Sequence, residues 1–191
     1  MTIMETDRLI IRNFYSDDWK DLHEYLSNET VVYYEPYDVF SEEACKQEAV
    51  NRSRNTAFWA VCLKENEKLI GNLYFEQQEP EEFLTWEIGY VFNPEFYGKG
   101  YATEACKRIL KFGFEQAGAH RIIGRCNPEN SASWRLMERL SMRREGHYKK
   151  SVFFRKTPNG KPIWQDAYEY SILEEEFLAT PKASSMDITL G

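Results

Sequence analysis

The sequence is poor in the residues that build metal centres, disulfide frameworks and membrane spans. Among 191 residues there are only 4 cysteines and 3 histidines. Cys45, Cys62, Cys106 and Cys126 form no CxxC pair, and three of them sit in apolar segments. They read as reduced, buried thiols of a cytoplasmic protein. His23, His120 and His147 show no HxxxH or HxH spacing, so no metal site is expected. Apolar runs stop after a few residues, as in Phe58–Leu63, whereas a spanning helix needs about 20. No membrane association is expected. Met1 to Arg8 lack the basic and then apolar stretch of a secretion signal. Basic side chains are in deficit, 24 against 31 acidic, for a net charge of −7. Nucleic-acid binding calls for the reverse, while a cationic partner is compatible.

What is present suffices for a packed core: 42% hydrophobic and 15% aromatic residues. The length suits one domain, expected over residues 1–178, with 179–191 as a loose tail because periodicity is lost from Pro181 to Met186. A short strand opens at Arg8–Phe14. Ser16-Asp17-Asp18 offers a cap and an acidic first turn for a helix to Leu26. Val31–Tyr37 holds no period and reads as a loop, and Ser41 opens a polar helix toward Arg54. Strands follow at Phe58–Leu63, Lys68–Gln77 and Leu84–Phe92. The third sets Leu84, Trp86, Ile88, Tyr90 and Phe92 on one face and Thr85, Glu87, Gly89 and Val91 on the other. From Ala102 the period becomes helical, ending near Gly118. His120–Cys126 is a strand, Ser131–Leu140 a helix, and Arg144–Arg155 and Gln165–Leu173 close the chain around the turn Thr157–Gly160. The order βααβββαβαββ implies a mixed α/β domain, a sheet of about seven strands with helices on both faces.

One junction carries chemistry. After the third strand come Asn93-Pro94-Glu95-Phe96-Tyr97-Gly98-Lys99-Gly100-Tyr101-Ala102-Thr103, then a helix. Glycines two apart let backbone approach a ligand without a Cβ in the way. Free amides at a helix start, with the dipole behind them, favour an anion such as phosphate, and Lys99 adds charge. A tight strand-to-helix turn without a ligand would use the same glycines. A P-loop, GxxxxGK(S/T), is absent. The string Gly98-Lys99-Gly100-Tyr101-Ala102-Thr103 ends in threonine and follows hairpins, so it is no dinucleotide fingerprint either.

Taken with Glu5–Arg12, Trp86-Glu87-Ile88-Gly89-Tyr90 and the block Asn127–Leu140, this junction resembles the GNAT acetyltransferases. The similarity is to the branch of the ribosomal-protein N-terminal acetyltransferases RimJ and RimL, and it runs in family order from Glu5 to Leu173. One departure is Tyr97, which stands first in the pyrophosphate motif where (Q/R)xxGx(G/A) is common.

The resemblance implies acetyl-CoA in a cleft between two splayed parallel strands. Tyr90, Val91 and Phe92 would pair by their backbone with the pantetheine amides. Tyr97, Gly98, Lys99, Gly100, Tyr101, Ala102 and Thr103 would hold the pyrophosphate. Asn127 and Asn130 would border or bind the pantetheine arm, with Ser133 near the thioester sulfur; a helix cap and a surface hydroxyl are the plainer roles for Asn130 and Ser133. The implied reaction is direct attack of a primary amine, at a protein N-terminus or on a small molecule, in a ternary complex. An ammonium must first lose a proton, and a backbone amide near Val91 would face the oxyanion. Glu87, a carboxylate in an apolar strand, is the candidate base, or else a core carboxylate satisfied by Arg12 or Arg125. Relatives with an acid on the strand after the last helix find Lys149-Lys150-Ser151-Val152-Phe153 here instead. Tyr148 and Tyr168 are alternative hydroxyl donors. Val31–Tyr37 and Phe153-Phe154 would border the acceptor, or their aromatics simply fill the core. A catalytically degenerate acyl-CoA-binding module is the rival reading, and a homodimer is left open.

Overall fold

The computed structural model describes residues 3–179. Eight strands form one sheet in the order β1-β2-β3-β4-β5-β6-β8-β7. They are β1 Met4–Glu5, β2 Leu9–Asn13, β3 Phe58–Leu63, β4 Leu69–Gln77, β5 Thr85–Phe92, β6 Arg121–Cys126, β7 Arg143–Val152 and β8 Gln165–Leu173. The helices are α1 Trp19–Leu26, α2 Glu29–Val32, α3 Glu42–Ser53, α4 Tyr101–Glu115, α5 Ser131–Arg139 and α6 Glu174–Ala179. The mixed sheet with helices on both faces is the architecture expected.

Each face of the sheet buries its own apolar set. Trp86, Ile88, Tyr90 and Phe92 of β5 face the cluster that holds Ala105, Ile109 and Leu110 of α4 and Leu136 of α5. Val91 faces the opposite cluster, with Leu22 and Leu26 of α1 and Cys45 and Ala49 of α3. Strict alternation along β5 therefore builds a two-sided strand, each face covered by a different helix pair.

Several local details differ from the sequence reading. An eighth strand, β1, is only two residues long and pairs as Met4↔Ile11 and Glu5↔Ile10. Ser16–Asp18 is a 3-10 turn ahead of α1. There Asp18, not Ser16, does the capping, since its Oδ2 accepts the Tyr15 amide at 2.7 Å. Val31 and Val32 close the short helix α2, whose cap Asn28 accepts the Thr30 amide. Leu84 stands outside β5 with φ at 50°. Helix α6 follows β8 directly and carries three glutamates in its first turn. The loose tail expected beyond it lies, from residue 180, outside the described residues. No helix among the described residues is long and apolar enough to cross a membrane.

The sheet contains one parallel pair, β5 with β6, and its register runs only from Thr85↔Arg121 to Glu87↔Ile123. Beyond Glu87 the two strands separate, while β5 continues to pair with β4 up to Gly71↔Phe92. A sheet that loses a partner mid-strand leaves one row of backbone groups open. That opening locates the site.

Candidate active site

A cavity of about 1340 Å³ fills the opening, larger than the roughly 300–1,000 Å³ of most small-ligand clefts. Glu87, Ser133 and every residue expected to bind acetyl-CoA line it except Lys99. The Lys99 ammonium lies over the Phe96 ring at 5.1 Å, so it supplies a neighbouring charge rather than a wall.

The bend before α4 takes its shape from two glycines in the left-handed region, Gly98 at φ 74° and Gly100 at 82°. A side chain at either would be strained. Gly100 caps α4 without any side-chain hydrogen bond. The amides from Gly98 to Thr103 donate to no acceptor among the described residues, and the first to find one is Glu104, to the Gly100 carbonyl at 3.0 Å. Free amides at the start of a 15-residue helix form an anion site by geometry and dipole together.

Cations flank this bend. Lys107 lies one turn beyond Thr103 on α4, and Arg135 and Arg139 are one turn apart on α5; all three line the cavity. Arg139 Nε approaches Thr103 Oγ1 at 3.4 Å. Sequence reasoning missed these three, although a spacing of four on each helix was the available signal.

Deeper in, Ser133 sits in the first turn of α5. Asn130 caps this helix, with Oδ1 accepting the Ser133 amide at 3.2 Å; the plainer role foreseen for it is present. Asn127 caps the preceding turn through Glu129 N at 2.9 Å. The Tyr90 hydroxyl donates to the Ser133 carbonyl at 2.9 Å and lies 3.0 Å from Ser133 Oγ. Burial pushes the Tyr90 phenol far up, so it stays protonated. Tyr90 had been marked for its backbone; its phenol is a second feature that the alternation on β5 delivers to the α5 side. Cys126, beside Ser133, is raised by burial to about 11 and is not a thiolate near neutral pH.

Across the strand, Glu87 faces the α1–α3 side. Arg125, two residues beyond its register partner Ile123, reaches Glu87 Oε2 with Nη1 at 3.1 Å. Arg125 also holds Glu169 at 2.9 Å. Of the two arginines considered, Arg125 is thus the partner; Arg12 pairs with Asp18 at 2.8 Å. Burial raises the Glu87 pKa, with the Arg125 charge opposing it. Tyr148 approaches Glu169 at 3.4 Å, and neither it nor Tyr168 lines the cavity.

The remaining wall is the loop after α2, with Tyr34, Glu35, Pro36 and Tyr37, together with Val152 and Phe154 from the far hairpin. Phe153 turns away and packs edge-on against Trp164. Arg155 fastens this wall. Its guanidinium donates to the carbonyls of Tyr33 at 3.1 Å and Val32 at 3.2 Å, and more loosely to those of Glu35 and Tyr37 at 3.5 Å. Glu35 is a carboxylate the sequence analysis had not singled out. Burial lifts its pKa to about 7, against the pull of the Tyr37 hydroxyl and the Arg52 charge.

A mixed sheet parted at its one parallel pair, with an amide-lined helix start in the gap, defines a GNAT-type domain. The chain belongs to that family: residues 8–143 match the family described as Acetyltransferase (GNAT) domain. It is 44% identical over 174 residues to the uncharacterized N-acetyltransferase YnaD of Bacillus subtilis (strain 168), covering 90% of this chain and 97% of that protein. A crystal structure of a GNAT-family acetyltransferase from Bacillus anthracis matches with a TM-score of 0.83 at 41% identity, over 92% of this chain and 100% of the other. The spermidine N-acetyltransferase of Vibrio cholerae, solved in complex with CoA and spermine, shares the fold at a TM-score of 0.73 and 21% identity, over 91% and 99% of the two chains. The protein is a GNAT-family acetyltransferase, a class that transfers acyl groups from acetyl-CoA to amines.

Proposed function

We propose that the protein transfers the acetyl group of acetyl-CoA to a primary amine by direct attack in a ternary complex. The observation that carries this is the set of amides from Gly98 to Thr103, unpartnered among the described residues and opening on the same cavity as Ser133 and Glu87. Acetyl-CoA supplies an activated thioester when bound. The bend and the cations Lys107, Arg135 and Arg139 suit its phosphates, and the open edge of β5 from Tyr90 to Phe92 suits its pantetheine amides. An amide near Val91 polarises the acyl carbonyl. The Ser133 hydroxyl, held by Tyr90, stands ready to hydrogen-bond the departing sulfur.

Amine delivery comes from the opposite face, where Glu35 and Glu87 give the wall two acids. Desolvation raises both pKa values, that of Glu35 to about 7, so each holds a proton more readily than a free carboxylate. Glu87 is the proton acceptor in this reading, and Arg125 orients its carboxylate. The acceptor is a protein N-terminus or a small amine. The blocks Glu5–Arg12 and Asn127–Leu140 favour the RimJ/RimL-like branch and hence an N-terminus.

Screening N-terminal peptides, polyamines and amino acids for acetyl-CoA-dependent thiol release tests the reading. With an acceptor in hand, Glu87→Gln is expected to lower kcat at least tenfold with acetyl-CoA affinity unchanged. A Gln variant of normal activity removes Glu87 as the base. No binding at millimolar acetyl-CoA overturns the whole proposal, and binding without release to any amine leaves the degenerate acyl-CoA-binding module.

A further inference from the structure

The segment Thr6-Asp7-Arg8 lies between β1 and β2, yet its polar groups converge on the first turn of α4. Glu104 Oε1 accepts the Thr6 hydroxyl at 2.6 Å and the Arg8 amide at 3.0 Å. Glu104 Oε2 accepts Arg8 Nε at 2.7 Å, and Arg8 Nη2 closes the ion pair at 2.5 Å. The guanidinium lies over the Tyr101 ring, 4.4 Å from its centroid. Its remaining reach goes to the bend itself, where Nη1 donates to the Lys99 carbonyl at 3.0 Å. A Cβ at Gly100 would meet Arg8 Nη2 at 3.5 Å.

We propose that Arg8 is a positioning residue for the diphosphate cradle, fixing the Lys99–Gly100 peptide so that the Gly100 amide faces the bound anion. The inference rests on the acetyl-CoA reading above. In a trans peptide the carbonyl and the following N–H point in opposite directions. Holding the Lys99 oxygen toward Arg8 therefore turns the Gly100 N–H away from Arg8, toward the cavity side. With glycine at both 98 and 100, each at positive φ, the chain around this peptide has wide rotational freedom. A tether on the carbonyl removes that freedom before the ligand arrives. Arg8 also answers an electrostatic problem. Glu104 would place a bare carboxylate in the first turn of the helix that receives an anion, and Arg8 with Thr6 neutralises and saturates it.

Calorimetric titration of CoA and of S-acetylpantetheine, which lacks the diphosphate, into the full-length protein tests this. Arg8→Ala is expected to weaken CoA about tenfold and to leave S-acetylpantetheine within twofold. Arg8→Lys, which cannot fork between the Lys99 carbonyl and Glu104, should fall between wild type and Ala, and serves if the Ala variant does not fold. Equal weakening of both ligands, or of neither, overturns the proposal, since a mere staple between strand and helix cannot tell them apart. The wild-type titration, read first, tests the acetyl-CoA reading by itself, and a wild type that binds no CoA overturns both.

Discussion

Replacing Gly100 by alanine and by aspartate separates the conformational role of this residue from its electrostatic one. With φ at 82°, any L-residue costs about 1–2 kcal/mol in the left-handed region. The new Cβ would meet only Arg8 Nη2, at an ordinary 3.5 Å, so backbone strain is the whole cost without ligand. For a chain of this size each 1 kcal/mol moves Tm by about 2–4 °C. Gly100→Ala should therefore melt roughly 2–8 °C below wild type. Gly100→Asp should melt slightly higher than Ala, because Asp tolerates that conformation better. Acetyl-CoA then splits the pair. At a hundred times Kd a ligand stabilises the native state by about 2.7 kcal/mol, or about 5–11 °C here. Alanine keeps most of that gain. An aspartate about 4 Å from the diphosphate costs about 4 kcal/mol per charge pair at an effective dielectric of 20; Arg8 offsets part of this, and the remainder cancels the gain. Differential scanning fluorimetry with and without acetyl-CoA reads both effects. An aspartate variant with the full wild-type ligand shift would refute the placement of the anion at this bend.

Two further perturbations follow from burial. Glu35 titrates at about 7 in the folded chain against 4.5 for the free group. The native state therefore binds its proton more tightly than the unfolded chain. This destabilising contribution is absent below pH 4.5, grows as pH rises and saturates above 7 at no more than about 3 kcal/mol. Glu35→Gln should be more stable than wild type at pH 8 and should lose that advantage by pH 4.5; denaturant midpoints that differ equally at both would contradict the assignment. At Gly113, buried in α4, a Cβ would meet Phe75 Cζ at 2.6 Å and Ile122 Cδ1 at 2.9 Å. Phe75 is stacked on Trp86 with centroids 4.8 Å apart and cannot retreat, so Gly113→Ala should cost about 1–3 kcal/mol by overpacking. A raised Tm, as helix propensity alone would give, would show that the contact relaxes.

Features that depend on near neighbours in the chain were readable from the sequence. The alternation on β5, the apolar stripe of α4 and the Ser41 cap, whose Oγ accepts the Ala44 amide at 3.2 Å, are each set within a few residues. So is the Gly98–Thr103 bend, because free amides at a helix start need no distant partner. Very short elements escaped: two residues of β1 and four of α2 show no period, and Asn28 was the only mark of the latter. Pairings across the sheet escaped as well. That Glu87 meets Arg125 and not Arg12 depends on the sheet order, which sets β6 beside β5 and leaves β2 three places away. Glu35 acquires its character from burial beside Tyr37 and Arg52 within a loop tied down by Arg155, a residue far along the chain. Nothing in the string Tyr34-Glu35-Pro36 reports that burial.

Arg155 grips the loop after α2 chiefly through four carbonyl oxygens, with a looser ion pair to Asp38 at 3.8 Å beside them. Every residue type offers the same carbonyl, so apart from Asp38 this clasp is indifferent to which side chains the loop displays. Tyr33, Tyr34 and Pro36 could be exchanged for other residues while the frame stays in place. This cavity wall is in effect a replaceable panel on a fixed hinge-plate, and on the proposed reading its lining can be redesigned for a new acceptor without rebuilding the donor side.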